Sequence, residues 1–514
     1  EAKLPRLRPI SNHGAASSST PARPPMAAAA FRDPELQGLS ASAAAARRGG
    51  GGEDALAARA ADALCQGEDP EDYGAAEKRP APGLRRRPSL PPLRGGNSAL
   101  LTAGIIIADV VGAGILSMGM AVAKFGWLMG SVVILLLLSM NVHVSLLMWR
   151  VRMGCPATYT YLDLASAAFS RAPAWQRRGM ELTTAGLQQL FLFLTLALYS
   201  LSIGRGLGTF FYAEFRLCLP LLVLLGLAVL LPVHISARSL GQYQSLIALN
   251  VLTIMGSALI PLGHMALSGA ENTLAPGSEM QAVADLSFSG MLSGLEVMSF
   301  AFTSQFMLVE IMAEMRDPEQ FPTAYMISAP FQGIMFLLAG VGTYVYMGSQ
   351  VSGILGENLP FGPTFRVASA CLLIHMLITF LIKGVVFCRW AQQLWNPGGL
   401  NDTSSKGLAG WSATVALSMG FSWLLASIVP FFTDLMELLG AFLTPMACYI
   451  VPIVLYVRYL YDKPNKDETI GPLERGVLVL EVLLSLVLMT FGTYFAVTTI
   501  ASNWHRYGMP FECH

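Results

Sequence analysis

The chain has 514 residues, of which 54% are hydrophobic and only 13% are charged. Soluble domains carry about 25% charged residues, so this composition excludes an ordinary soluble protein and indicates an all-α polytopic membrane protein. The formal net charge is zero, and we expect no nucleic-acid partner. The seven cysteines show no spacing typical of metal ligands, so neither a metal site nor a cofactor is predicted.

Residues 1–97 form a tail rich in Ala, Gly, Pro, Ser and Arg. The tail lacks the branched and aromatic residues needed to build a core, and it is predicted to be disordered. Arg85, Arg86 and Arg87 lie shortly before the first apolar segment, where they suit the anionic lipids of a cytoplasmic leaflet. The rest of the chain is predicted to form a transmembrane domain, 98–500, and a short C-terminal tail, 501–514.

About eleven membrane spans are predicted after the tail, because windows of about 20 apolar residues match the thickness of a bilayer. We number them spans 1 to 11, over 99–123, 127–149, 183–212, 216–233, 239–263, 286–312, 324–347, 364–388, 408–428, 431–458 and 476–500. Arg and Lys collect in the loops on the side of the tail, whereas loops 264–285 and 348–363 contain neither. The positive-inside rule then predicts a cytoplasmic N-terminus, and an odd number of spans places the C-terminus outside.

Span 1 lies in the stretch LLTAGIIIADVVGAGILSMGMAVAKF, Leu100 to Phe125, which has two features that a simple anchor avoids. Asp109 puts a carboxylate inside the bilayer, where it costs on the order of 3 kcal/mol unless it faces the protein interior. Gly112 and Gly114 remove side chains near the middle of the span. They permit either a break that exposes backbone groups to a ligand or merely close helix packing, and the residues alone leave both alternatives open.

Span 6 carries polar side chains at helical spacing. Glu296, Ser299, Thr303 and Glu310 are three, four and seven residues apart, which keeps them on one face that should point into the bundle. Glu310 is either a functional group or a marker of the cytoplasmic end of the span. No Gly or Pro occurs in 300–305, so composition gives no sign of a break there.

Span 8 carries a second polar stripe. His375, Thr379 and Lys383 are four residues apart and should face the bundle interior. An alternative without functional meaning is a Thr bonded to its own helix and a Lys that reaches toward the cytoplasmic face.

Four longer sequence motifs occur in a characteristic order along the chain. They are VGAGILSMGMAVAKFGW in span 1, LPVHISARSL after span 4, SFAF in span 6 followed by MRDPEQFPTA, and PFFTDLMELLGAFLTPMACYIVP in span 10. Together they resemble the motifs of the amino acid/auxin permease family, which contains the amino acid transporter transmembrane domain, over about residues 98–500. The chain departs from the family at Met118-Gly119, where the family has Leu-Pro, and at Lys383, where sodium-coupled members usually have an uncharged residue.

The resemblance implies a leucine-transporter-like fold, in which spans 1 to 5 and 6 to 10 form a 5+5 inverted repeat and span 11 is appended. It also implies a secondary transporter that moves amino acids by alternating access in the plasma membrane or a vacuolar or lysosomal membrane. The substrate carboxylate is expected at free amides in span 1, and its ammonium at span 6. The expected substrate-binding residues are Val111, Gly112, Ala113, Gly114, Ile115, Phe300, Ala301, Phe302 and Thr303.

The expected ion-coupling residues are Asp109, Thr379, Lys383 and Glu310. The repeat geometry would place span 8 beside span 1, so that Asp109 and Lys383 meet. A proton could then determine which charge state of this buried pair is occupied, so we expect proton coupling. Sodium bound by Asp109 and Thr379, with Lys383 reaching the cytoplasmic face, stays open as an alternative.

Two other functional classes are weighed against a transporter. An amino-acid sensor on the same scaffold is a second alternative, which the long tail favours. An enzyme is not expected, because the sequence shows no nucleophile elbow, HxxxD motif or metal-ligand cluster. The sequence does not predict an oligomeric state.

Overall fold

The computed structural model of the chain describes residues 96–211, 217–236, 238, 244–269, 279–396, 402, 404–462, 470–507 and 511. The predicted disordered tail lies outside the described residues, apart from its last two positions.

The described part is helical and crosses a membrane many times. Ten of its helices are long and apolar enough to span a bilayer, and one bent pair of helices makes an eleventh span. Span 1 is this pair, Ala99–Val110 and Ala113–Ala123, whose halves are bent by 48°. Spans 2 to 11 run over Trp127–Gly154, Ala174–Phe210, Leu219–Ser236, Ala248–Ser268, Phe288–Ala313, Pro318–Gln350, Pro363–Trp395, Ser405–Ile428, Phe432–Asp462 and Pro472–Trp504. The predicted all-α polytopic class is therefore confirmed.

Hydroxyl side chains define where several of these helices begin. The Ser98 hydroxyl accepts a hydrogen bond from the Leu101 amide at the start of span 1, and Ser287 and Ser404 play the same part in spans 6 and 9. The first amides of a helix have no partner within it, and a capping oxygen replaces that partner. A short helix between spans 2 and 3, Tyr161–Ala168, begins with a complete capping box.

Four spans depart from regular α-helix, and in span 11 the departure is one π-helical turn over Leu488–Gly492. Span 1 breaks at Val111 and Gly112, and span 6 is interrupted by Phe302–Ser304. Span 10 widens into π-helical turns over Leu439–Leu443 and Pro445–Ile450. Such turns leave backbone groups outside the i→i−4 pattern and frequently occur at functional sites. Irregular backbone at membrane depth is tolerated only inside the protein, so the mostly buried departures in spans 1, 6 and 10 mark the interior of the bundle.

Spans 1 and 6 lie side by side with opposite directions. At one end, the Asn97 amide donates to the Glu314 carbonyl and the Arg316 amide donates to the Asn97 carbonyl, both at 2.9 Å. At the other end, the Ala284 amide donates to the Phe125 carbonyl, also at 2.9 Å. The two broken spans therefore form an antiparallel pair, as an inverted repeat requires of its first helices.

Candidate functional site

The break in span 1 is a break in its backbone hydrogen bonding. The Val111 amide still donates to Ile107 at 2.8 Å, but the Gly112 amide turns back to the Val110 carbonyl. A 3₁₀ turn begins at Ala113, and its first bond runs from the Ile115 amide to the Gly112 carbonyl at 3.2 Å. The amides at the start of this second half have no partner within the helix, so they are available to an acceptor outside it.

The break in span 6 is held by polar side chains from other spans. The Thr303 hydroxyl lies 3.1 Å from the Thr444 hydroxyl of span 10. The side-chain amide of Gln305 donates to the side-chain oxygen of Asn141 in span 2. These contacts stabilise the irregular stretch Phe302–Ser304 without any Gly or Pro, which explains why composition gave no sign of the break.

The two breaks face a small central cavity. Its lining residues are Asp109, Val110, Gly112, Ala113, Gly114, Phe191, Thr195, Tyr199, Phe300, Ala301, Thr303 and Lys383. Six of the nine expected substrate-binding residues are among them. The other three, Val111, Ile115 and Phe302, are at most 1% exposed and belong to the hydrophobic core.

One wall of the cavity comes from span 3, whose residues are not among those expected from the sequence. Phe191, Thr195 and Tyr199 follow one another at four-residue intervals on that span, so they share one helical face. The same four-residue spacing identified the polar stripe in span 8. It was also the sequence signal by which these residues of span 3 could have been identified. Phe191 stacks on Phe300 across the cavity wall, with ring centroids 6.1 Å apart.

Asp109 and Lys383 form an ion pair at the cavity. The Lys383 ammonium lies 3.1 Å from one carboxylate oxygen of Asp109, and the two side chains are 7% and 14% exposed. Tyr199 supplies a further hydrogen-bond partner for the ammonium, and the Phe306 ring lies 5.4 Å from it. The structure therefore brings together the two charges that were expected to meet. The Lys383 ammonium contacts Asp109 at the cavity and does not extend away from it along span 8.

The second carboxylate oxygen of Asp109, Oδ2, is buried and has no hydrogen-bond partner among the described residues. A buried acceptor without a donor costs roughly 1–3 kcal/mol. Asp109 itself lines the cavity next to the span 1 break, and a proton or an ammonium group would satisfy this oxygen.

Two expected ion-coupling residues do not line the cavity. The Thr379 hydroxyl bonds the Asn250 side chain of span 5 at 3.2 Å and its own helix at the His375 carbonyl. Glu310 accepts hydrogen bonds from the Gln188 side chain at 2.9 Å and the Tyr161 amide at 3.1 Å. Glu310 thereby ties the second half of span 6 to span 3 and to the Tyr161–Ala168 helix.

The fold agrees with what comparison with known proteins shows. A sequence profile described as "Transmembrane amino acid transporter protein" matches residues 95–498. The chain belongs to this family. Amino acid transporter ANT1 of Arabidopsis thaliana is 25% identical over 434 residues, which cover 77% of this chain and 91% of ANT1. Amino acid transporter AVT3C of the same plant is 25% identical over 455 residues, which cover 83% of this chain and 96% of AVT3C.

A solved structure has the same fold. The crystal structure of MhsT in complex with L-phenylalanine matches with a TM-score of 0.50 at 13% identity, covering 79% of this chain and 97% of MhsT. The predicted leucine-transporter-like fold of this family member is thereby confirmed. The protein is a multi-pass membrane protein of an amino acid transporter family, and the relatives it matches are named as transporters.

Proposed function

We propose that the protein is a secondary transporter that moves amino acids across its membrane by alternating access and couples this movement to protons. The observation that carries the proposal is the cavity itself. Two helix breaks and one buried ion pair meet there, inside the fold of an amino acid transporter family. Discontinuous helices at mid-membrane supply the backbone groups that hold charged substrates where water is absent.

An amino acid brings two charges that this cavity can satisfy. The substrate carboxylate lies against the first amides of the second half of span 1, at Ala113 and Gly114, where the helix dipole also attracts an anion. The substrate ammonium lies against the carbonyls that end the first half of span 6, Phe300–Thr303, and within reach of Asp109. Each charge thereby replaces its hydration shell with protein groups, as binding in a buried site requires.

Contacts on both sides of the cavity close it to the two solutions. On the side of residue 97, the backbone pairing of Asn97 with Glu314 and Arg316 joins spans 1 and 6. On the opposite side, Arg205 of span 3 lies 3.5 Å from Glu357 in the loop before span 8. Alternating access opens one set of contacts at a time, with the two helix breaks as the points that bend.

The ion pair gives the reason to propose a proton as the coupling ion. Lys383 already supplies the positive charge that Asp109 needs, so no metal cation is required to neutralise the carboxylate. A proton on Asp109 removes the attraction that joins span 1 to span 8 and lets them separate. Sodium is the competing ion, but the Thr379 hydroxyl that was considered as its ligand bonds Asn250 and its own helix.

We place the N-terminus in the cytoplasm and the basic residues Arg85–Arg87 near anionic lipids, from the distribution of Arg and Lys in the loops. The membrane is the plasma membrane or a vacuolar or lysosomal membrane.

The test is uptake of radiolabelled amino acids by proteoliposomes that contain the purified protein. All twenty standard amino acids are measured at two external pH values, first with sodium and then with choline in its place. We expect uptake of a subset that survives the replacement by choline. If no amino acid is taken up under any gradient, the protein is not a transporter and a sensor on the same scaffold becomes the better proposal. Loss of most uptake in choline would instead defeat proton coupling alone.

A further inference from the structure

The charges that line the cavity are balanced. Of its twelve lining residues only Asp109 and Lys383 carry a charge, and these two neutralise each other at 3.1 Å. The remaining lining residues are glycines, apolar side chains and the hydroxyls of Thr195, Tyr199 and Thr303. The cavity therefore contains no spare counter-charge.

We propose that this balance restricts the transporter to amino acids whose side chain carries no net charge, and that Asp109 and Lys383 together set the restriction. The inference rests on the proposed function and names the substrate class of the same site. A zwitterionic amino acid adds no net charge to the cavity. A further charge of either sign would be desolvated there without a partner, which membrane proteins avoid.

Each member of the pair is already engaged. The Lys383 ammonium has Asp109, Tyr199 and the face of the Phe306 ring around it, so it is not free to attract an acidic side chain. One oxygen of Asp109 faces Lys383, and the other, Oδ2, is the buried acceptor that the transported proton or the substrate α-ammonium satisfies. A second ammonium or a guanidinium on the substrate side chain would find no counter-charge of its own among the lining residues.

Removing one member of the pair should release the other as a counter-charge. In Lys383→Met, Asp109 is left without its cation and should accept a basic side chain. In Asp109→Asn, Lys383 is left without its anion and should accept an acidic side chain. Both residues belong to the binding machinery, so absolute transport falls in both variants, and the readout is the ratio between two competing ligands.

The experiment measures competition in wild-type proteoliposomes against the best labelled substrate of the uptake panel. Norleucine is compared with lysine, and glutamine with glutamate, because each pair is similar in size and differs in charge. The uncharged member should compete at about a hundredfold lower concentration, the factor expected for placing a lone charge in the membrane interior. The same ligands are added to the purified protein, where binding raises the melting temperature independently of transport.

Variants of Asp109 and Lys383 test whether this ion pair causes the charge restriction. Lys383→Met should bring lysine to within about tenfold of norleucine, and Asp109→Asn should do the same for glutamate against glutamine. Lys406→Met is the matched control, because Lys406 is exposed at the start of span 9, and it should keep the wild-type ratios.

Failure of this inference differs from failure of the proposed function. Lysine that competes as well as norleucine in the wild type overturns the charge restriction while transport stands. Ratios that stay unchanged in both variants overturn the assignment to Asp109 and Lys383. Absence of uptake for the whole panel overturns the proposed function, and the melting temperatures then still decide the charge restriction on their own.

Discussion

Gly112 and Gly114 are two residues apart in the span 1 break, but the structure predicts opposite consequences when each is replaced by alanine. A Cβ atom at Gly114 would lie 2.4 Å from the Cα atom of Ala301 and 2.5 Å from its Cβ atom. Carbon atoms in contact lie about 3.5–4.0 Å apart, so spans 1 and 6 would have to separate by about 1 Å. At Gly112 the nearest atom to an added Cβ is the Asp109 carbonyl oxygen, at an ordinary 3.4 Å.

These distances predict a loss of stability for Gly114→Ala and a loss of uptake for Gly112→Ala. Overpacking of this kind costs about 1–3 kcal/mol, so Gly114→Ala should lower the melting temperature by about 5 °C. An added Cβ at Gly112 meets no close atom of another span, so its replacement should cost less stability than Gly114→Ala. The new methyl group at Gly112 would instead stand in the cavity beside the free amides, and uptake should fall about tenfold or more.

The assay is a thermal melt of each purified variant, followed by uptake at matched amounts of folded protein in liposomes. The expected pattern is a stable but poorly transporting Gly112→Ala protein and a destabilised Gly114→Ala protein. Wild-type uptake by Gly112→Ala would refute the carboxylate site at the break. An unchanged melting temperature for Gly114→Ala would refute the close contact between spans 1 and 6.

Three further predictions concern residues outside the cavity and the orientation of the chain. Glu310→Gln keeps a side-chain oxygen for the Tyr161 and Gln188 donors, so this variant should retain pH-dependent uptake. Glu310→Ala removes that acceptor, which costs about 1–3 kcal/mol for each buried donor, so this variant should have a lower melting temperature. Loss of pH dependence in Glu310→Gln would show that Glu310 takes part in coupling. Thr379→Val removes one hydrogen bond to Asn250, which is worth about 1 kcal/mol of stability. Uptake in choline medium should be unchanged. A selective loss of uptake in sodium medium would show that Thr379 is a ligand of the coupling ion. In intact cells that carry the protein at their surface, protease should cleave a tag after His514 and spare one before Pro88, and the reverse pattern would overturn the proposed orientation.

The sequence was most informative in span 1, where one segment carries its own signal. Its glycines left open either a helix break or close packing, and the structure shows a break beside the buried Asp109 together with a close approach of Gly114 to Ala301. The contact between Asp109 and Lys383, 274 positions apart in the numbering, needed more than residue patterns. It followed from the repeat geometry that the family resemblance implies, in which span 8 packs near span 1.

The sequence was insufficient where other segments decide the outcome. The interruption of span 6 is held by Asn141 and Thr444, which belong to spans 2 and 10, so no local pattern contains it. Thr379 shares a helical stripe with Lys383, but its hydroxyl bonds span 5, because Asn250 happens to lie within reach. Helical spacing shows which residues share one face of a helix, but it does not show which span packs against that face.

Coupling of amino acid movement to protons is the central claim about the Asp109–Lys383 pair. It is tested most directly in sodium-free proteoliposomes that enclose a pH-sensitive dye, to which an uncharged amino acid is added outside. We predict that the amino acid acidifies the lumen at an initial rate that depends on its concentration, and that Asp109→Asn abolishes this acidification. Uptake of the labelled amino acid with no change in luminal pH would contradict the account.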